Sequence, residues 1–211
     1  MGTDLALPLS LADSLSPGVE ELRLPATFEN FVAWAAYVDY TIEYEDGEIV
    51  IRSIASDEHE RIVANILGLL FVNLKGQTEY GRYGSNRHVY IEDWHKAYAP
   101  DASVVKGAPV PYIYAPGKAA YTNPWLVVEV TSPTSQGRDF GEKLQGYKAI
   151  ETLEFILYVA QDRPLLTLFE RIPDTDRWKS LDYNALDQAF TFGPCTFTLA
   201  DVYDSLVFTK K

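Results

Sequence analysis

Two carboxylates stand where carboxylates are costly. Glu129 lies inside Trp125–Val130 (WLVVEV), the most hydrophobic run of the chain, and Asp101 follows Pro100 at the start of a strand-like stretch. Burying an ionised carboxylate is unfavourable by several kcal/mol unless a cation or a set of donors compensates it. The 28 residues from Asp101 to Glu129 are enough for a loop that returns the chain to an adjacent strand. Two carboxylates on neighbouring strands make an oxygen-rich site suited to Mg²⁺ or Mn²⁺. A plainer reading stays open: Glu129 is a buried acid paired with a Lys or Arg, or marks an edge strand with a solvent face. Downstream, Asp139, Lys143 and Tyr147 are spaced i, i+4, i+8 and so share one face of a helix. If that face overlies the strand ends, Lys143 reaches the carboxylates, where an ammonium orients water or stabilises charge developing on a phosphate. Otherwise Asp139 and Lys143 form a simple surface pair.

The elements that must position these residues follow from periodicity and turn chemistry. Thr27 is placed to N-cap a helix over Phe28 to Tyr37, with Phe31, Trp34, Ala35 and Val38 at helical spacing. Tyr40 to Ser53 alternates on either side of Asp46-Gly47 and reads as a hairpin. Ser56 or Asp57 caps a helix from His59 to about Lys75 whose Ile62, Ile66, Leu69 and Leu70 lie on one face. Strands are expected over Gly81–Ile91 and Ala99–Lys106. Residues 107–124, with four prolines and three tyrosines, read as a surface loop. The run containing Glu129 predicts a strand buried on both faces, followed by a helix from about Phe140 to Glu151. Glu154–Ala160 is a second buried strand, and Leu165–Arg171 and Trp178–Tyr183 continue as a meander. A short strand at Thr196–Leu199 and a helical turn at Val202–Leu206 close the chain. Residues 1–26, rich in Pro, Ser and Leu, read as a weakly ordered or docking arm, and 27–211 as a single α/β domain.

Composition narrows the function classes. The 211 residues carry 30 acidic and 18 basic side chains, a formal net charge of −12. Affinity for nucleic acid rests on Lys and Arg neutralising phosphates, so the chain is a poor general nucleic-acid binder. A single cysteine, Cys195, forbids an intramolecular disulfide and a cysteine-rich zinc module and suits a reducing cytoplasm. No basic residue precedes Arg23, so no secretory signal is expected, and the longest apolar stretch is too short to span a bilayer. There is no H-E-x-x-H, Walker A, G-x-G-x-x-G or G-x-S-x-G motif. His88 and His95 have no partner at metal-ligand spacing; Arg82, Arg87 and Lys148 either line a phosphate cleft or are solvated.

Taken in order, several motifs resemble a large cyanobacterial family labelled restriction endonucleases and assigned to the PD-(D/E)XK nuclease superfamily. They are D-G-E (46–48), Ser56, Glu58 and His59 at a helix start, P-D-x-S-V-V (100–105), L-V-V-E-V-x-S-P-T-S (126–135), D-x-x-x-K-x-x-x-Y (139–147) and E-F-x-L-Y (154–158). The resemblance covers the chain from about residue 27 and implies a restriction-endonuclease-like fold, a central mixed β-sheet flanked by helices. It makes Asp101 the Asp of the PD motif and Glu129 the acid of the second motif, both metal ligands, with the Val130 carbonyl as a further ligand. Thr131 stands where the superfamily pattern has lysine, so the resemblance implies a helix-borne lysine, Lys143. Glu48 and His59 match family positions; an acid from the first helix or hairpin completes many such sites, while His59 reads equally well as a capping residue.

The implied activity is Mg²⁺- or Mn²⁺-dependent hydrolysis of DNA phosphodiesters, leaving 5′-phosphate and 3′-hydroxyl ends, by a homodimer in the cytoplasm. The net charge and the missing lysine at 131 favour a competing class, a catalytically inactive nuclease-like scaffold acting as an interaction or regulatory subunit. Whether Lys143 points at the carboxylates discriminates the two. A metal-dependent hydrolase of a smaller phosphate ester is a third reading and calls for a closed pocket.

Overall fold

A computed structural model describes residues 21–38, 40–52, 55–115, 118–133 and 139–208. In chain order its elements begin with β1 (Glu21–Pro25), α1 (Phe28–Ala35), the hairpin β2 (Ile42–Glu45) and β3 (Glu48–Arg52), and α2 (Asp57–Asn73). Then come β4 (Tyr80–Gly84), β5 (Val89–Ile91), β6 (Lys96–Tyr98), β7 (Ala102–Lys106), β8 (Pro111–Ala115), β9 (Lys118–Tyr121) and β10 (Pro124–Thr131). A wide turn at Asp139–Lys143 leads into α3 (Leu144–Ala149), followed by β11 (Phe155–Ala160), β12 (Leu166–Arg171), β13 (Trp178–Tyr183), β14 (Ala189–Phe192), β15 (Cys195–Thr198) and α4 (Leu199–Val202). The described residues fall into two compact units, one drawn from positions 1–54, 85–99 and 110–122, the other from 55–84, 100–109 and 123–211. Among the described residues no helix is long and apolar enough to cross a membrane.

The first unit is built on a seven-stranded sheet of order β1-β3-β2-β6-β5-β9-β8. Asp46 and Gly47 both take positive φ, 49° and 81°, as the tight hairpin turn between β2 and β3 requires. Thr27 and Asn30 cap α1 reciprocally, each side chain accepting the other's backbone N–H. Phe31, Tyr44, Ile49, Ile51 and Tyr90 form the core beneath it. Of the arm expected over 1–26, residues 21–25 are strand β1, paired along β3; residues 1–20 lie outside the described residues. The buried acids here are met by arginines: Arg52 meets Glu43 at 2.5 Å, and Arg23 meets Glu45 at 2.9 Å together with the half-buried Glu21 at 2.6 Å and Glu48 at 3.1 Å.

The second unit holds the central mixed sheet, of order β13-β12-β11-β10-β7-β4. β10 runs parallel to β11 and antiparallel to β7, and all eight of its residues are buried, as its unbroken apolar run demands. Side chains alternate across a strand. Leu126, Val128 and Val130 pack with Ile62, Ile66 and Leu70 of α2, while β14, β15 and α4 add Phe190, Phe192, Phe197 and Leu199 to the same core. Ser56 caps α2 by accepting the His59 backbone N–H at 3.2 Å.

Three strand expectations change. The strand expected over Gly81–Ile91 is broken at Ser85-Asn86 into β4 and β5, which join different sheets, in keeping with the turn preference of Gly-Ser-Asn. The expected Ala99–Lys106 strand begins only at Ala102 because Pro100 has no N–H to enter a ladder. The expected loop over 107–124 contains the hairpin β8–β9, whose Pro111 sits on the outermost strand, where a missing donor is tolerated. The closing helical turn is Leu199–Val202, capped by Thr198 and Asp201, rather than Val202–Leu206.

Gly193, between β14 and β15, has φ +52°, and a Cβ there would lie 2.4 Å from Cζ2 of the buried Trp125. Gly193→Ala is therefore expected to destabilise the protein by about 2–3 kcal/mol in urea titration. Gly68→Ala, in mid-α2 with nothing within 4 Å of the new methyl, is expected to stabilise it by about 0.5–1 kcal/mol.

Candidate active site

Strand register brings the two carboxylates together. β7 and β10 pair Ser103 with Val127 and Ala102 with Val128, so the next step of the ladder carries Asp101 opposite Glu129. Asp101 stands just outside β7, and its Oδ2 accepts the backbone N–H of Val130 at 2.7 Å. A side chain thus continues the ladder where the backbone has turned away. Within an extended strand the N–H and C=O of one residue point to the same side, so the Val130 carbonyl also faces the Asp101 side.

Glu129 is compensated from the segment after its strand. Lys143 Nζ lies 2.7 Å from Glu129 Oε1, and the Tyr147 hydroxyl donates to the same oxygen at 2.5 Å. All three side chains are almost fully buried; Lys143 is 3% exposed. The regular helix expected over Phe140–Glu151 is instead the wide turn Asp139–Lys143 followed by the six-residue α3, because Gly141 breaks the helix with φ −92° and ψ −117°. Lys143 and Tyr147 still converge as their i, i+4 spacing requires. The third residue of that expected face, Asp139, has a side chain outside the described residues. Thr131 is buried on β10.

His59 reaches the other carboxylate. Its Nε2 lies 3.3 Å from Asp101 Oδ1. Its Nδ1 is buried and makes no hydrogen bond, although Glu60 Oε1 is 3.5 Å away. Capping of α2 uses the His59 backbone N–H, which leaves the ring for Asp101. Burial pushes the imidazole pKa down, but the hydrogen bond and charge of Asp101, with the charges of Glu60 and Glu129, outweigh it and hold the pKa above its ordinary value.

Glu48 lies on β3 of the first unit, in the ion network of Arg23. The remaining cations and histidines have local partners. Arg82 stacks on Phe71 at 5.3 Å, Arg87 donates to the Ala119 carbonyl at 2.8 Å, and Lys148 sits over the Phe169 ring at 4.8 Å. His88 contacts the Ile42 carbonyl at 2.7 Å, and His95 contacts the Tyr90 hydroxyl at 3.2 Å. Sequence reasoning missed Arg171 of β12. Its guanidinium donates to the carbonyls of Lys148, Ile150 and Leu153 at 2.7–2.9 Å and so fastens the end of α3. Separations of 18–23 residues left no local signal for it.

The donor chemistry suits a hard divalent cation: two carboxylates held at adjacent strand ends, with a main-chain carbonyl turned the same way. Among the described residues no three His, Cys, Asp or Glu side chains are gathered as a ready-made metal cage. Two basic side chains meet the carboxylates, the Lys143 ammonium at Glu129 and the His59 imidazole at Asp101.

Comparison with known proteins bears on the family and the fold. The model of the Uma2 family, described as "Putative restriction endonuclease", matches residues 28–196. An uncharacterised Synechocystis protein, sll1609, is 30% identical over 119 residues, 56% of this chain and 66% of its own length, just under two thirds. A second, slr1290, is 28% identical over 162 residues, 76% of this chain and 81% of its own. In fold the chain is similar to a crystal structure described as a putative nuclease belonging to DUF820 from Anabaena variabilis, with a TM-score of 0.64 at 16% identity over 85% of this chain and 98% of that one.

Two outcomes follow from the contacts. Lys143→Met leaves the buried Glu129 without its ammonium and is expected to lower stability by about 3 kcal/mol in urea titration, most of it recovered in the Lys143→Met/Glu129→Gln double variant. The pKa of His59 is raised above 6.5 in the folded protein, so its contribution is fully present below the unfolded value and lost as pH rises through the folded one. The stability difference between the wild type and His59→Gln, followed by melting from pH 5 to 9, is expected to be largest at the acid end and to shrink with rising pH.

Proposed function

Since the chain belongs to the Uma2 family, we propose that it is a metal-dependent endonuclease that hydrolyses DNA phosphodiester bonds, with Asp101, Glu129 and Lys143 as its catalytic residues. The observation that carries this reading is the joining of Asp101 to the Val130 N–H, which sets the two carboxylates side by side with an ammonium on Glu129. Asp101, Glu129 and the Val130 carbonyl would hold Mg²⁺ or Mn²⁺, which supplies Lewis-acid charge at a phosphodiester when bound. Asp101 is kept in register by β10 and contacted by the His59 imidazole. Glu129 is oriented by Tyr147. Lys143 brings a positive charge from the turn before α3 to within reach of a phosphate oxygen, where it stabilises the negative charge that builds up during displacement.

The net charge of −12 argues that this site is not fed by a broad basic surface. Affinity for the duplex then comes from the ion and from a second subunit, in keeping with a homodimer working in the cytoplasm. One observation favours the alternative of a catalytically inactive scaffold: Glu129 already has a protein cation, so its burial is explained without a metal.

Calorimetric titration of Mn²⁺ into the wild type and Asp101→Ala, with and without a short DNA duplex, separates the two. Saturable binding weakened at least about tenfold by the substitution is expected, together with loss of duplex cleavage by about 100-fold or more in Glu129→Ala. A wild type that binds no Mn²⁺ even with the duplex present replaces the nuclease reading with the scaffold.

A further inference from the structure

Glu129 Oε1 receives two donors from one short segment, and they are not equivalent. The Tyr147 hydroxyl is neutral, rigid and fully buried on α3. The Lys143 ammonium carries a full charge on a flexible four-carbon stem. It belongs to the wide turn before α3, where Gly141 has left helical geometry, so its anchorage on the N-terminal side is not a continuous helix. On the C-terminal side α3 is fixed by the three carbonyl contacts of Arg171. Tyr147 is thus built as a permanent partner of Glu129, and Lys143 as one that can leave.

Electrostatics makes leaving necessary if a divalent ion is bound. The ammonium is 2.7 Å from a carboxylate oxygen of the same residue that would hold the ion. A unit positive charge and a divalent one sharing a buried carboxylate repel strongly at such range, because little solvent lies between them. We propose that Lys143 is a resident cation of Glu129 that is exchanged for the divalent metal, Tyr147 holding the carboxylate in place through the exchange. This rests on the metal-binding reading above and adds to it how the site is regulated. Without metal the buried carboxylate stays neutralised and the fold intact. On metal binding the ammonium is freed at the mouth of the site, and the cation that guarded the carboxylate becomes the one that meets the anionic phosphodiester. Intrinsic metal affinity is held down in return, which ties tight metal binding to the arrival of a phosphodiester that supplies negative charge.

Two measurements on the full chain test the exchange, with manganese chloride as the probe. Calorimetry is expected to give at least about tenfold tighter Mn²⁺ binding in Lys143→Gln, which keeps a donor for Glu129 but no charge. Tyr147→Phe, which removes a hydrogen bond and no charge, is expected to stay within about threefold of the wild type in Mn²⁺ affinity. The second measurement needs no variant and decides the matter alone if Lys143→Gln does not fold. Amine acylation of the wild type, read residue by residue by mass spectrometry, is expected to rise at least about tenfold at Lys143 on Mn²⁺ saturation, with the exposed Lys106 and Lys179 unchanged as internal standards. Unchanged or weaker Mn²⁺ affinity in Lys143→Gln, or an unchanged Lys143 labelling rate at saturating Mn²⁺, overturns the exchange while leaving the metal site standing. Absence of Mn²⁺ binding in wild type and variant alike overturns the metal site and the exchange with it.

Discussion

The burial of Glu129 in the middle strand of the mixed sheet is the constraint around which the second unit is organised. An eight-residue strand with every side chain buried has no room for an uncompensated charge. The chain answers the carboxylate with the nearest material available, the segment that follows the strand, and places both Lys143 and Tyr147 on one of its oxygens. Neither residue would be held there by helix propensity. A six-residue helix behind a wide turn is too short to persist on its own, so its position must come from tertiary contacts. Arg171 supplies them by binding three carbonyls at its end, and Leu144 and Tyr147 supply the rest by burial.

Asp101 poses the complementary problem. The β7–β10 register ends at Ala102 and Val128, two residues short of Val130. The Asp101 side chain accepts the Val130 N–H instead. An unpaired buried N–H is costly, so the hydrogen bond that sets the two acids side by side is also one the fold needs. The acidic pair is in this sense part of sheet closure, because the contact that joins it to β10 also satisfies a strand-end N–H.

Much of this was legible in the sequence because the deciding signals are local. The Asp46-Gly47 turn, the Thr27 and Ser56 caps, the apolar run around Glu129 and the i, i+4 spacing of Lys143 and Tyr147 each act within a few residues. What escaped depends on contacts between distant segments. Whether Gly81–Ile91 is one strand or two is decided by which sheet each half joins, and the proline-rich stretch 107–124 becomes a hairpin only because an outermost sheet position accepts it. Arg171 and the turn at Gly141 were illegible for the same reason. A guanidinium that caps a helix from another strand has no spacing rule, and a glycine that leaves helical geometry leaves the apolar periodicity on either side of it intact.

That the ammonium at Glu129 comes from the turn and not from position 131 has a physical consequence. Position 131 points to the same face as Glu129, since side chains two apart on a strand share a face, and it is buried where β10 pairs with β11 and Thr131 meets Ala160. A lysine there would be clamped beside the acid by the sheet itself, with little freedom to retreat. Threonine at 131 is compact enough for that buried spot, and the charge is delivered from a turn whose backbone is not locked in a ladder. The amine then approaches Glu129 from outside the sheet rather than from within it. A carboxylate buried inside a strand is thus neutralised by an ammonium that the sheet itself does not hold.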